Sequence, residues 1–158
     1  MTPVVRRTRP GDAPALCDVF RRSIEELGAR DYSAEQVRAW TSRVPTPEGM
    51  EAVNADGRVV LVAVDTQDAP FGFMDLEADG HIDRLYRAPD APRGVADALL
   101  EAVLAQARCS GIGRLHVEAS EAARRFFERH GFRTVGRRDF TLCGVAIHNY
   151  AMERPIDD

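Results

Sequence analysis

The residues best suited to holding a ligand stand in the middle of the chain. Arg93-Gly94-Val95-Ala96-Asp97 opens a segment in which Val95, Leu99, Ala102, Val103 and Gln106 mark one face of a long helix, closed near Gly111. A helix N-terminus offers unpaired N–H groups and partial positive charge, which bind phosphate oxygens. Small residues there let the backbone approach closely. This segment is therefore either an anion cradle or simply the first turn of a helix. Asp75 and Glu77 fall on one side of a strand by period-two alternation, as two carboxylates that face solvent at a strand end or take up a proton. Other chemistries drop out. His81, His116, His130 and His148 show neither HExxH nor paired-cysteine spacing, so no metal is expected. Gly111-Ile112-Gly113 lies between a helix and a strand, whereas a dinucleotide fingerprint runs strand, glycines, helix. No Gly-x-Ser-x-Gly or P-loop occurs.

The elements that must position these residues follow from the pattern. Val4 to Thr8 reads as an opening strand, broken at Pro10-Gly11-Asp12. Asp12 is placed to cap a helix to about Leu27, with Leu16, Val19, Phe20, Ile24 and Leu27 on one face. Ser33-Ala34-Glu35-Gln36 has capping-box form and opens a second helix through Trp40, a residue that suits a core edge better than a substrate platform. Pro45 and Pro47 close that helix and mark a loop. Arg58 to Val64, Phe71 to Glu77 and Ile82 to Arg87 are strands, with turn chemistry at Asp79-Gly80. Leu115 to Glu118 is a further strand, Ser120 caps a helix through His130 before Gly131, and Phe132 to Glu153 divides at Cys143-Gly144 into two strands. The predicted order is β-α-α-β-β-β-α-β-α-β-β, a mixed sheet with helices on both faces.

Size and composition agree with that outline. A chain of 158 residues suits one domain spanning 1–158. The net charge of −4 argues against nucleic acid as the main partner, because phosphate binding favours a basic face. Three cysteines without CxxC spacing suit free thiols in a reducing compartment. No apolar segment follows the basic residues near the N-terminus, and the longest apolar run, Val59 to Val64, is too short to span a bilayer. A cytoplasmic protein without a membrane partner is expected.

Three segments together resemble the GNAT superfamily of acetyl-CoA-dependent N-acetyltransferases. Ile82-Asp83-Arg84-Leu85-Tyr86-Arg87-Ala88-Pro89 is similar to the family's central strand, and Arg93-Gly94-Val95-Ala96-Asp97-Ala98-Leu99-Leu100 to its pyrophosphate loop and helix start. Ala122 to Phe132 is similar to its late helix, which ends in glycine and an aromatic. Within the superfamily, Tyr32 to Trp40 and Asn149 to Met152 resemble a bacterial subgroup. The chain departs from the pattern at Pro89-Asp90-Ala91-Pro92-Arg93-Gly94, which is one residue short and lacks an early glycine; Arg93 stands where it can compensate as a charged donor.

The resemblance implies an α/β (α+β) fold: a single GNAT-like domain with a central mixed, mostly antiparallel sheet, helices on both faces and a splayed central strand pair. By resemblance the splayed strands are Phe71 to Glu77 and Ile82 to Arg87, with the oxyanion donor near Leu85 or Tyr86. The implied cosubstrate is acetyl-CoA, held by Leu85, Tyr86, Arg87, Arg93, Gly94, Val95, Ala96, Asp97 and Phe127. The implied reaction is direct attack by the primary amine of a small-molecule or peptide acceptor, met between the early helices and the splayed strands near Tyr32, Trp40, Asp75 and Glu77. Glu77 or Asp75 is the expected base. The family's usual proton-donating tyrosine is replaced by Phe127, so the thiol is expected to leave as thiolate or with a proton from Tyr86 or Tyr150, which otherwise serve as packing residues. The alternative is a non-catalytic acyl-CoA-binding or interaction module. The exposed late strands could pair across a homodimer.

Overall fold

Strand alternation organises the interior. In the computed structural model, which describes residues 3–157, β2 (Val59–Val64) turns Val60, Val62 and Val64 toward one layer of helices and Leu61 and Ala63 toward another. A strand buried on both faces has this β-branched composition. With β1 (Val4–Arg7), β3 (Pro70–Leu76) and β5 (Leu85–Arg87) it forms an antiparallel sheet in the order β1-β2-β3-β5. A second sheet has the order β4-β6-β8-β7, from β4 (His81–Ile82), β6 (Arg114–Ala119), β7 (Arg133–Leu142) and β8 (Val145–Pro155). Its pairs are antiparallel except β4 with β6.

On one face of the first sheet pack α1 (Ala13–Arg22) and α3 (Pro47–Asn54), through Leu16, Phe20 and Met50 against Phe73. On the other packs α4 (Val95–Cys109), through Val95, Leu99 and Val103 against Met74. Helix α5 (Glu121–Arg129) adds Phe126 and Phe127 to that second core, and α2 (Ala34–Thr41) lies against β8. Gly72 of β3 is what lets α4 sit so close, since a Cβ there would stand 2.9 Å from Val95 Cγ1 and 3.3 Å from Leu99 Cδ1. Among the described residues no helix is long and apolar enough to cross a membrane.

Several sequence expectations need correction. The first helix stops at Arg22 and continues as a π turn, Ser23–Leu27, and a 3₁₀ turn, Gly28–Arg30. Asp12 occupies the cap position without capping, because its carboxylate accepts from Arg6 and from the backbone N–H of Arg9. Pro47 does not close a loop but opens α3: proline is tolerated at the first helical position, and Thr46 caps the turn. The capping box of Ser33 and Gln36 forms as predicted, as does the two-residue turn at Cys143-Gly144. The strand expected over Ile82 to Arg87 is broken in two at Asp83-Arg84.

Candidate active site

That break creates the site. β4 lies parallel to β6, with His81 opposite His116 and Ile82 opposite Val117. After Asp83-Arg84 the chain leaves β6, and β5 pairs only with β3. The expected splay is therefore present but between β5 and β6. Phe71 to Glu77 is not its second wall, because β3 is hydrogen-bonded in register to β5. The kink is pinned by Asp75, which is fully buried. Its carboxylate accepts from Arg84 Nε at 2.6 Å, Arg58 Nη1 at 2.8 Å, and the backbone N–H groups of Asp83 and Arg84, both at 2.9 Å.

The register also aims the backbone. Ala88 N–H donates to Phe71 O, and Asp75 N–H to Arg84 O, so Tyr86 and Phe73 form the hydrogen-bonded pair between them. Alternation then turns the N–H groups of Leu85 and Arg87 away from β3, toward the gap.

Two cavities meet at this gap. The first, of about 480 Å³, is lined by Leu85, Tyr86 and Arg87 of β5 and by the loop and helix start Arg93 to Asp97. Gly94 caps α4 with φ of 93°, a left-handed conformation that suits glycine, and no side chain caps the helix. The first-turn N–H groups thus stay available to a ligand. Arg30, Arg87, Arg93, Arg125 and Arg129 line the same cavity, against the acids Asp31 and Asp97. Arg125 pairs with Asp31 at 2.8 Å, and Asp97 with His130 at 2.7 Å. The remaining surplus of guanidinium groups around an uncapped helix start fits the polyphosphate of a nucleotide-linked thiol such as coenzyme A.

The second cavity, of about 520 Å³, adjoins the first, and Tyr32, Trp40, Tyr86 and Ser120 line both. Its walls include Phe20, Asp83 and Glu118. Tyr86 stacks on Phe20 with ring centroids 4.0 Å apart. Burial pushes the Tyr86 phenol well up and that of Tyr32 up to about 12, so both stay protonated at neutral pH. Tyr32 Oη donates to His148 O and accepts from the Glu121 N–H, both at 3.1 Å, tying the turn before α2 to the start of α5.

A chain of polar groups leads out of this cavity. Glu118 Oε1 lies 2.9 Å from His81 Nε2, and His81 Nδ1 lies 2.7 Å from Glu77 Oε1. Burial alone would lower the His81 pKa, but the hydrogen bond to Glu77 and the charge of Glu118 outweigh it, and the net shift is upward. His116 stacks on His81 at 5.0 Å, and its ligating atom lies within 4.8 Å of those of His81 and Glu118. The two hydrogen bonds to His81 already account for the closeness of the carboxylates.

The residues singled out from sequence divide accordingly. Leu85, Tyr86, Arg87, Arg93, Gly94, Val95, Ala96 and Asp97 come together on the first cavity. Phe127 is not among its lining residues: it is fully buried against Phe126 and Phe132, and Phe126 faces the cavity instead. Asp75 lines neither cavity, being saturated by the two arginines and two N–H groups. Glu77 also lines neither, but reaches the second cavity through His81 and Glu118. Tyr150 donates to Glu121 Oε1 at 2.7 Å beneath the Arg124 guanidinium and faces neither cavity; that hydrogen bond and its burial hold its pKa up. Trp40, suited to a core edge by its spacing but set near the acceptor by the resemblance, lines both cavities. Sequence reading missed Glu118, whose signal was its alternation with buried Leu115, Val117 and Ala119, which turns it to the opposite face of β6.

Known proteins are similar to this chain in sequence and fold. Residues 28–154 match the acetyltransferase (GNAT) domain. The uncharacterised N-acetyltransferase YafP of Escherichia coli K12 is 32% identical over 149 residues, which cover 94% of this chain and 93% of YafP. A GCN5-related N-acetyltransferase from Rhodopseudomonas palustris superposes with a TM-score of 0.90 at 35% identity, covering 98% of this chain and 96% of that one. The PaiA N-acetyltransferase of Thermoplasma acidophilum, solved in complex with coenzyme A, superposes with a TM-score of 0.79 at 19% identity, covering 98% and 99%. Matched along nearly its whole length by a 32% identical relative, and over residues 28–154 by the domain itself, the chain belongs to the GNAT family of acetyltransferases and is an acyltransferase enzyme.

Proposed function

We propose that the protein transfers an acetyl group from acetyl-CoA to the primary amine of a small-molecule or peptide acceptor, by direct attack across the gap between β5 and β6. The observation that carries this reading is the meeting of two cavities at one backbone edge. One has an arginine-rich, uncapped helix start, and the other holds a carboxylate beside aromatic walls. Acetyl-CoA supplies the acyl group as a thioester, whose C–S bond is exchanged for a C–N bond to the amine.

The chain's own groups have three tasks. The α4 start with Arg93 and Arg87 holds the phosphates. The Leu85 N–H, turned toward the gap, donates to the oxygen on which negative charge develops and needs no reorganisation to do so. Glu118 takes the proton that an ammonium of pKa near ~10 must lose, with His81 and Glu77 behind it to carry the proton outward. No tyrosine proton is required, since a thiol of pKa roughly 8.5 leaves tolerably as thiolate. The reading as a non-catalytic module finds no support in the family match.

Calorimetric titration with acetyl-CoA, followed by thiol release across an amine panel, tests the proposal. Gly94→Glu places a carboxylate in the phosphate site and should weaken binding at least about tenfold, or ~1.4 kcal/mol. Unchanged affinity in a folded mutant would remove the cofactor assignment. Absence of thiol release with every amine, despite binding, would remove the amine acceptor.

A further inference from the structure

The charges lining the second cavity do not cancel. Asp83 accepts from Arg58 at 2.9 Å, Arg84 donates to Asp75, and His148 lies 2.6 Å from Glu121. Glu118, the remaining carboxylate of the lining, lies against His81. Two further side chains of the same lining are guanidinium groups, Arg43 after α2 and Arg138 on β7. Among the described residues neither has a carboxylate within ion-pair distance, although the neighbouring Arg137 pairs with Asp139. Arg138 is nevertheless held in place: its Nη1 donates to Asn149 Oδ1 at 3.2 Å, directly across the β7-β8 ladder, and its guanidinium stands 5.8 Å from the Phe140 ring centroid. Trp40, Tyr86 and Ile147 give the same lining its apolar surface.

A cavity lined by a carboxylate on β6, by unmatched guanidinium groups after α2 and on β7, and by apolar side chains is complementary to a ligand of the reverse polarity. We propose that the acceptor is a small amine that also carries an anionic group, such as a carboxylate. Arg138 and Arg43 receive the anion, and the amine is directed toward Glu118. This rests on the reading of the second cavity as the acceptor site. The guanidinium fork suits a carboxylate or a phosphonate, because it donates two parallel hydrogen bonds. A volume of about 520 Å³ accommodates an amino acid or a molecule a few times larger.

Matched ligand pairs test this without requiring turnover. Binding to the protein–CoA complex is measured at low salt for 4-aminobutyrate against butylamine, 6-aminohexanoate against hexylamine, and phenylalanine against 2-phenylethylamine. At least one carboxylated member should bind about tenfold or more tightly than its parent. That ratio should shrink as ionic strength rises and collapse toward one in the Arg43→Gln/Arg138→Gln double variant, with CoA binding reporting that the fold is intact. No preference for any carboxylated member, or a preference that survives in the double variant, overturns the anion subsite. If no amine of the panel releases thiol, the acetyl-transfer reading fails, while the binding ratio still decides whether the arginines recognise an anion.

Discussion

Arg84 and Asp75 form a buried ion pair, Nε to Oδ2 at 2.6 Å, and the same carboxylate accepts the backbone N–H of Arg84 at 2.9 Å. The arginine completes its hydrogen bonding with Asn54 and the Met50 sulfur. One side chain thus fixes both the kink that separates β5 from β6 and the charge that the kink buries. Asp75 is therefore structural, although its residue type and strand position suit a base.

Replacing Asp75 with alanine leaves Arg84 buried without its counter-charge. Unfolding by denaturant should show a loss of roughly 3–5 kcal/mol, the usual cost of removing one partner of a buried pair. A loss below about 1 kcal/mol would mean that Arg84 finds another partner or reaches solvent, and the kink would then need a different explanation.

The base assignment predicts an order of effects. Glu118→Gln should lower kcat/KM by ~10²–10⁴-fold, the range of a general base, and Glu77→Gln should lower it less, because Glu77 acts through His81. Steady-state kinetics with one competent amine settles the matter, and the reverse order would move the base to Glu77.

His81 should make stability depend on pH near neutrality. Its folded pKa is raised, so the protonated ring is favoured in the folded state. The stabilisation is complete below the unfolded value of about 6.5 and is lost as pH rises through the raised folded value. Melting curves from about pH 6 to 9 should show wild type losing stability relative to His81→Gln; parallel profiles would show that Glu77 and Glu118 do not hold the ring charged.

Phe127→Tyr restores the family's usual residue, yet no gain in rate is expected. The ring is fully buried between Phe126 and Phe132, so the new hydroxyl would lack a partner, at a cost of about 1–3 kcal/mol. Faster thiol release by this variant would show that the ring edge reaches the gap.

How much of this was legible follows from the range of each interaction. Readable from neighbouring residues alone were the strand at Val59–Val64, the capping box at Ser33-Gln36, the turn at Cys143-Gly144 and the helix opened by Gly94, because each depends on residues within a few positions of one another. It also held the family resemblance, carried by local motifs in order. Tertiary structure alone decided which strands part and which carboxylate lines the gap. Asp75 and Glu77 look equivalent along the strand, but Asp75 meets arginines 17 and 9 residues away, while Glu77 meets His81, whose other ring nitrogen is hydrogen-bonded to Glu118, 37 residues on from the histidine. Phe127 and Phe126 are neighbours of identical type, and only the packing of α5 against β6, β7 and β8 decides which of them lines the cavity. Local rules fix where a side chain can point along its own element; the partners that bury, charge or free it come from distant parts of the chain.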